Sequence, residues 1–117
     1  MNIINPGLTP AQMSSATRST PTVQQSVPTA GATVVMTGGS ADAMVELQPA
    51  GTLATLTVTL PDNATSIIGD IARIGSTKAI TLLTINGAAT IIGNVTAMIA
   101  SQVVNFKKVA DNTWMAI

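Results

Sequence analysis

The stretch Leu53-Ala54-Thr55-Leu56-Thr57-Val58-Thr59-Leu60 decides the fold class. Side chains of an extended strand point alternately to opposite faces, so Ala54, Leu56, Val58 and Leu60 share one face and Leu53, Thr55, Thr57 and Thr59 the other. An aliphatic face backed by a threonine ladder is a strand that buries one side. Upstream, Ala43, Val45 and Leu47 alternate with Met44, Glu46 and Gln48 in the same period of two. Between these runs stand Thr37-Gly38-Gly39-Ser40 and Pro49 to Gly51, and after them Pro61-Asp62-Asn63, all residues that favour turns.

The second half has the same texture. Ile71 to Ile74, Ala79 to Ile85, Thr90 to Ile92, Val95 to Ile99, Val103 to Val109 and Thr113 to Ile117 are strand-length runs. Asn86-Gly87 between Ile85 and Ala88 predicts a hairpin, since both residues accept positive φ. Gly93-Asn94 and Asp111-Asn112 mark further turns. Strands at a spacing of about 8 to 12 residues predict an all-β fold, an antiparallel β-sandwich or jelly roll over residues 31–117. Ala64 to Ala72 is the best candidate for one short helix, weakened by its Thr, its β-branched residues and Gly69.

Residues 1–30 read differently. They carry one charge, Arg18, and are crowded with Pro6, Pro10, Pro21 and Pro28. Proline removes backbone donors and biases its predecessor to extended conformations, so an extended N-terminal arm is predicted. The arm is open to two readings, a solvated tail or a segment that orders on a neighbouring subunit. Ile3, Ile4, Leu8 and Met13, together with the low charge, favour the second. Ile3, Ile4, Pro6, Leu8, Met13 and Arg18 are the candidate partner-binding residues.

Across 117 residues there is no His, no Cys and no Tyr, with five acids and five bases. Acid/base, nucleophilic and metal chemistry draw mainly on those residue types, so no catalytic set, metal site or cofactor site is expected. Without Cys there is no disulfide. Asp62, Asp70 and Asp111 lack the spacing of a calcium loop and read as turn formers. Asp42 and Glu46 have nothing near them in sequence to suggest a substrate pocket, and no small-molecule substrate is expected. Asn63-Ala64-Thr65 and Asn94-Val95-Thr96 match a glycosylation sequon, but the N-terminus has neither basic nor apolar signal regions. Synthesis in the cytoplasm is the expectation.

Only 9% of residues are charged and the net charge is zero, against roughly 25% charged residues in ordinary soluble domains. Such a surface repels little, and burial by partner subunits resolves that most simply. Nucleic acid is an unsuitable partner, because only Lys107 and Lys108 are adjacent among the bases and Phe106 and Trp114 are the only rings. The two lysines read as gatekeepers on a solvated strand edge, Phe106 and Trp114 as core anchors. Residues 79–106 hold no charge, but Asn86, Gly87, Gly93, Asn94 and Ser101 interrupt them, so no membrane span is expected.

Gly69-Asp70-Ile71-Ala72-Arg73-Ile74-Gly75-Ser76, Ile80 to Ile85, Gly87, Ile91-Ile92-Gly93, Val104, Phe106 and Asn112-Thr113-Trp114 resemble the β-domains of tailed-bacteriophage virion proteins. The resemblance covers under half of the chain and carries over no receptor-contacting residue. With no heptads and no fixed-period repeat, the chain departs from fibres and resembles small head-decoration or cement subunits. That likeness implies a virion structural protein on the capsid surface, a homotrimer that binds and stabilises the major capsid protein. A host-attachment β-domain of a tail fibre or tail tip is the alternative.

Overall fold

The computed structural model describes residues 20–117. Their elements are β1 (Thr22–Ser26), β2 (Thr33–Val35), β3 (Asp42–Leu47), β4 (Leu53–Thr59), a 3-10 turn (Asn63–Thr65), β5 (Ile71–Ser76), β6 (Ile80–Asn86), β7 (Thr90–Ile92), β8 (Gln102–Ala110) and β9 (Thr113–Ala116). The described body is all-β. No helix forms over 64–72: its start is the 3-10 turn and its end opens β5.

The chain alternates between two sheets. One has the order β1-β3-β5-β8-β9-β7, the other β2-β4-β6. β1, β3 and β5 are parallel neighbours, as are β2, β4 and β6, so each β-pair adds one coil to a solenoid-like stack. This corrects the antiparallel pairing expected from the strand spacing. Antiparallel ladders occur only where β8 closes on β5 and β9 on β8, while β7 joins β9 in parallel. Local alternation is the same for both kinds of ladder, which is why the strands were legible and their pairing was not. The coils differ in length: Thr22 pairs with Ala43, and Ala43 with Ala72, so no fixed sequence period arises.

One core is shared by the inner faces of both sheets. Ala43, Val45, Leu47, Ala72, Ile74, Val104, Phe106 and Trp114 come from the larger sheet; Val34, Leu56, Val58, Leu83 and Ile85 come from the smaller. Phe106 and Trp114 are 0% and 1% exposed and are its largest members. Leu53 joins the core too, contrary to strict alternation. β4 and β6 change phase at the same level: Leu53 and Ile80 face in, Ala54-Thr55 and Thr81-Leu82 face out, and Leu56 and Leu83 face in again.

Asn86-Gly87 makes a turn but no hairpin, because β7 pairs with β9 and not with β6. Gly87 is needed twice over there. Its φ is +96°, and a Cβ would lie 2.9 Å from Thr59 Cγ2 and 3.0 Å from the backbone N and O of Leu60. The run Val95 to Ile99 forms no strand and meets β6 through the Ile80–Met98 bridge and a hydrogen bond from Leu83 N to Thr96 O. The uncharged stretch 79–106 holds β6, β7 and the start of β8, and among the described residues no helix is long and apolar enough to cross a membrane.

β1 belongs to the body, although the prolines around it had assigned it to the arm. Pro21 and Pro28 lie just outside the strand, where a missing donor costs nothing. Its apolar residue Val23 faces solvent, so no hydrophobic period advertised it. Amide side chains hold it instead: Gln24 Nε2 donates to Val35 O, Gln24 Oε1 accepts from Thr37 N, and Gln25 Nε2 donates to Glu46 Oε1. Ile3, Ile4, Pro6, Leu8, Met13 and Arg18 lie outside the described residues.

Candidate functional site

Along β8 the inward phase runs Val104, Phe106, Lys108, and the outward phase Val103, Asn105, Lys107. Lys107 is exposed, whereas Lys108 is 3% exposed. Lys108 is therefore no gatekeeper on a solvated edge, and β8 is an interior strand between β5 and β9. Alternation from Phe106 was the signal that could have placed Lys108 inside.

The ammonium end is met by the 3-10 turn. Lys108 Nζ donates to Asn63 Oδ1 at 2.6 Å, Asn63 O at 3.3 Å, Ser66 O at 3.0 Å and Ser66 Oγ at 3.0 Å. Four oxygen contacts offset the loss of water around the charge. The turn is held in place by Asp62, whose Oδ1 accepts from Ala64 N and whose carbonyl accepts from Thr65 N, Thr65 Oγ1 and Ser66 Oγ.

Asn63 is the hub of this corner. Its Oδ1 also accepts from the backbone N–H of Asn112 at 2.9 Å, and its Nδ2 donates to Asp111 Oδ1 at 3.1 Å. The β8–β9 turn brings those two groups in, with Asn112 at φ 50°, a left-handed conformation that Asn tolerates. Asp70 closes the far side: its carboxylate accepts from Ile67 N, and its carbonyl accepts from Lys108 N. From sequence, Asp62, Asn63, Asp70 and Asp111 are turn formers, and nothing marks Ser66. The fold brings these residues together around one amine.

Asp42 and Glu46 sit elsewhere, on the outer face of β3. Asp42 is bridged by Arg73, with Nε to Oδ1 at 3.0 Å, and Arg73 Nη1 also donates to Asn105 Oδ1. Glu46 Oε1 accepts from Gln25 and Gln48. Beside it lies an open groove of about 210 Å³ between Met44, Gly75, Gln102 and Val103. The Asp42–Arg73 pair is about one-third exposed and contributes at most about 1 kcal/mol.

The surface of the described body is poor in charge. Nine charged side chains are described, of which Asp70 and Lys108 are buried. Eleven large apolar side chains are exposed, among them Val35 and Leu82 outside the smaller sheet, Val23 on β1 and Ile68 after the 3-10 turn. Exposed apolar groups thus outnumber the charges left at the surface. Comparison with family models, with curated proteins and with solved structures finds no match for the chain.

Proposed function

We propose that this chain is a virion structural protein, a capsid decoration or cement subunit that binds the major capsid protein and other copies of itself as a homotrimer. The observation that carries the proposal is the outer surface, where exposed aliphatic side chains outnumber charged ones. Apolar surface of this extent on a body with so little charge is suited to burial against neighbours. β1 adds a strand edge with no charged residue; Val23 on it and Val27 just after it are 67% and 72% exposed. Sheet edges without charge or bulge pair readily with further chains. On this reading the subunit is made in the host cytoplasm and works on the capsid surface. It needs no nucleic acid, membrane, small molecule or cofactor, and it performs no catalysis on other molecules. The two facing sheets provide the rigid body for which a sandwich or jelly roll was expected.

A host-attachment domain at a tail-fibre tip is the second reading, favoured by shape. The described body measures 53 × 29 × 20 Å with a radius of gyration of 15.7 Å, against about 13 Å for a compact body of this size. Stacked coils lengthen a molecule along one axis, as a fibre requires.

Deletion of residues 2–19 tests the role of the arm while leaving β1 whole. The shortened protein is expected to keep its β-sheet circular dichroism and to lose binding to undecorated heads in co-sedimentation. Undiminished occupancy would remove the arm from the mechanism.

A further inference from the structure

We propose that Lys108 and Asn63 join to form an intramolecular isopeptide bond, a self-made cross-link between β8 and the 3-10 turn. The proposal is independent of where the protein acts. It rests on a conjunction of groups that a lysine anchoring a turn would not need. The amine lies 2.6 Å from the carbonyl oxygen of a side-chain amide. The same oxygen accepts a backbone N–H from Asn112 at 2.9 Å, placed to hold the negative charge that addition would create there. The leaving nitrogen, Nδ2, already donates to the Asp111 carboxylate at 3.1 Å. Lys108 is 3% exposed and Asn63 is half-buried, and the fold holds both reactants together.

The reaction balances without an oxidant or co-reactant. Lys108 gives one proton to solvent, and its Nζ swings out of the amide plane to bond Asn63 Cγ while the carbonyl π pair moves to Oδ1. Nζ and Nδ2 are then on one carbon, within reach of the same carboxylate. Asp111 takes a second proton from Nζ and delivers it to Nδ2. The C=O re-forms, the Cγ–Nδ2 bond breaks, and ammonia departs to be protonated in solution. One amine and one primary amide become one secondary amide and one ammonia. Asp111 is the proton carrier, and Asn112 and Ser66 are positioning residues.

Trypsin followed by mass spectrometry tests this on the full chain. Arg18, Arg73, Lys78, Lys107 and Lys108 are the only cleavage sites. Cross-linked protein is expected to yield a branched peptide in which residues 19–73 and 108–117 are joined, lighter by one ammonia than the two combined. Fragmentation should place the junction at Asn63 and Lys108. Intact mass alone does not decide, since succinimide formation at Asn86-Gly87 loses the same ammonia. Lys108→Arg is expected to abolish the branched peptide. Asp111→Asn should reduce its yield at least tenfold while circular dichroism shows the sheets intact. Recovery of separate 19–73 and 109–117 peptides, without the branched species, from folded protein incubated for days would overturn the proposal. An Asp111→Asn yield equal to that of the unaltered chain would overturn the part assigned to Asp111.

Discussion

Replacing Trp114 with Ala is expected to destabilise the protein by about 3–5 kcal/mol, the cost of emptying a large, fully packed aromatic site. Trp114 is 1% exposed and lies on β9, the strand that joins β7 to β8 and so holds the closing end of the larger sheet together. Phe106 is the other ring of that core, and the remaining members are aliphatic or Met. A loss of that size is comparable to the whole stability of many small domains. Urea unfolding followed by far-ultraviolet circular dichroism measures it. An unchanged midpoint would mean that β9 is not packed on the core as described.

Lys108→Met is expected to cost about 3 kcal/mol, near the upper end for buried polar groups left without a partner. Methionine keeps an unbranched stem and removes the amine, leaving Ser66 O and Asn63 O without their donor. Ser66→Ala removes one acceptor and leaves the other three contacts, so its expected cost is smaller, about 1 kcal/mol. The same unfolding measurement on the two variants separates them. Equal losses would show that the amine contributes no more than its contact with Ser66 Oγ.

What could be read from the sequence followed from burial. The alternation of Ala43, Val45 and Leu47 and of Leu56, Val58 and Leu60 marks core-facing strands, and the structure buries all six. Burial pattern does not specify which strand lies alongside. A parallel neighbour one coil away and an antiparallel neighbour across a hairpin demand the same apolar face, and unequal coils remove the repeat that would have distinguished them. Asn86-Gly87 shows the limit at one turn: Gly87 does take a positive φ and leaves room for Leu60, but no hairpin forms. β1 was hidden for the opposite reason, being tied by Gln24 and Gln25 and not by an apolar face.

The lysine corner was illegible for a further reason. Lys108 could be placed inside from its phase with Phe106, but its partners come from residues 63–66 and 111–112. Only the closure of β8 against β5, with β9 on its other side, brings those segments to one point. Asn63, which no sequence signal distinguished from a turn former, thereby receives an amine, a backbone N–H and a carboxylate around one amide.

Electron microscopy of intact particles locates this subunit and so decides whether it decorates the head. Density for the two stacked sheets is expected on the outer surface of the head lattice, in threefold clusters that contact the major capsid protein. Particles whose heads lack that density, with the subunit absent or confined to the tail, would contradict that placement.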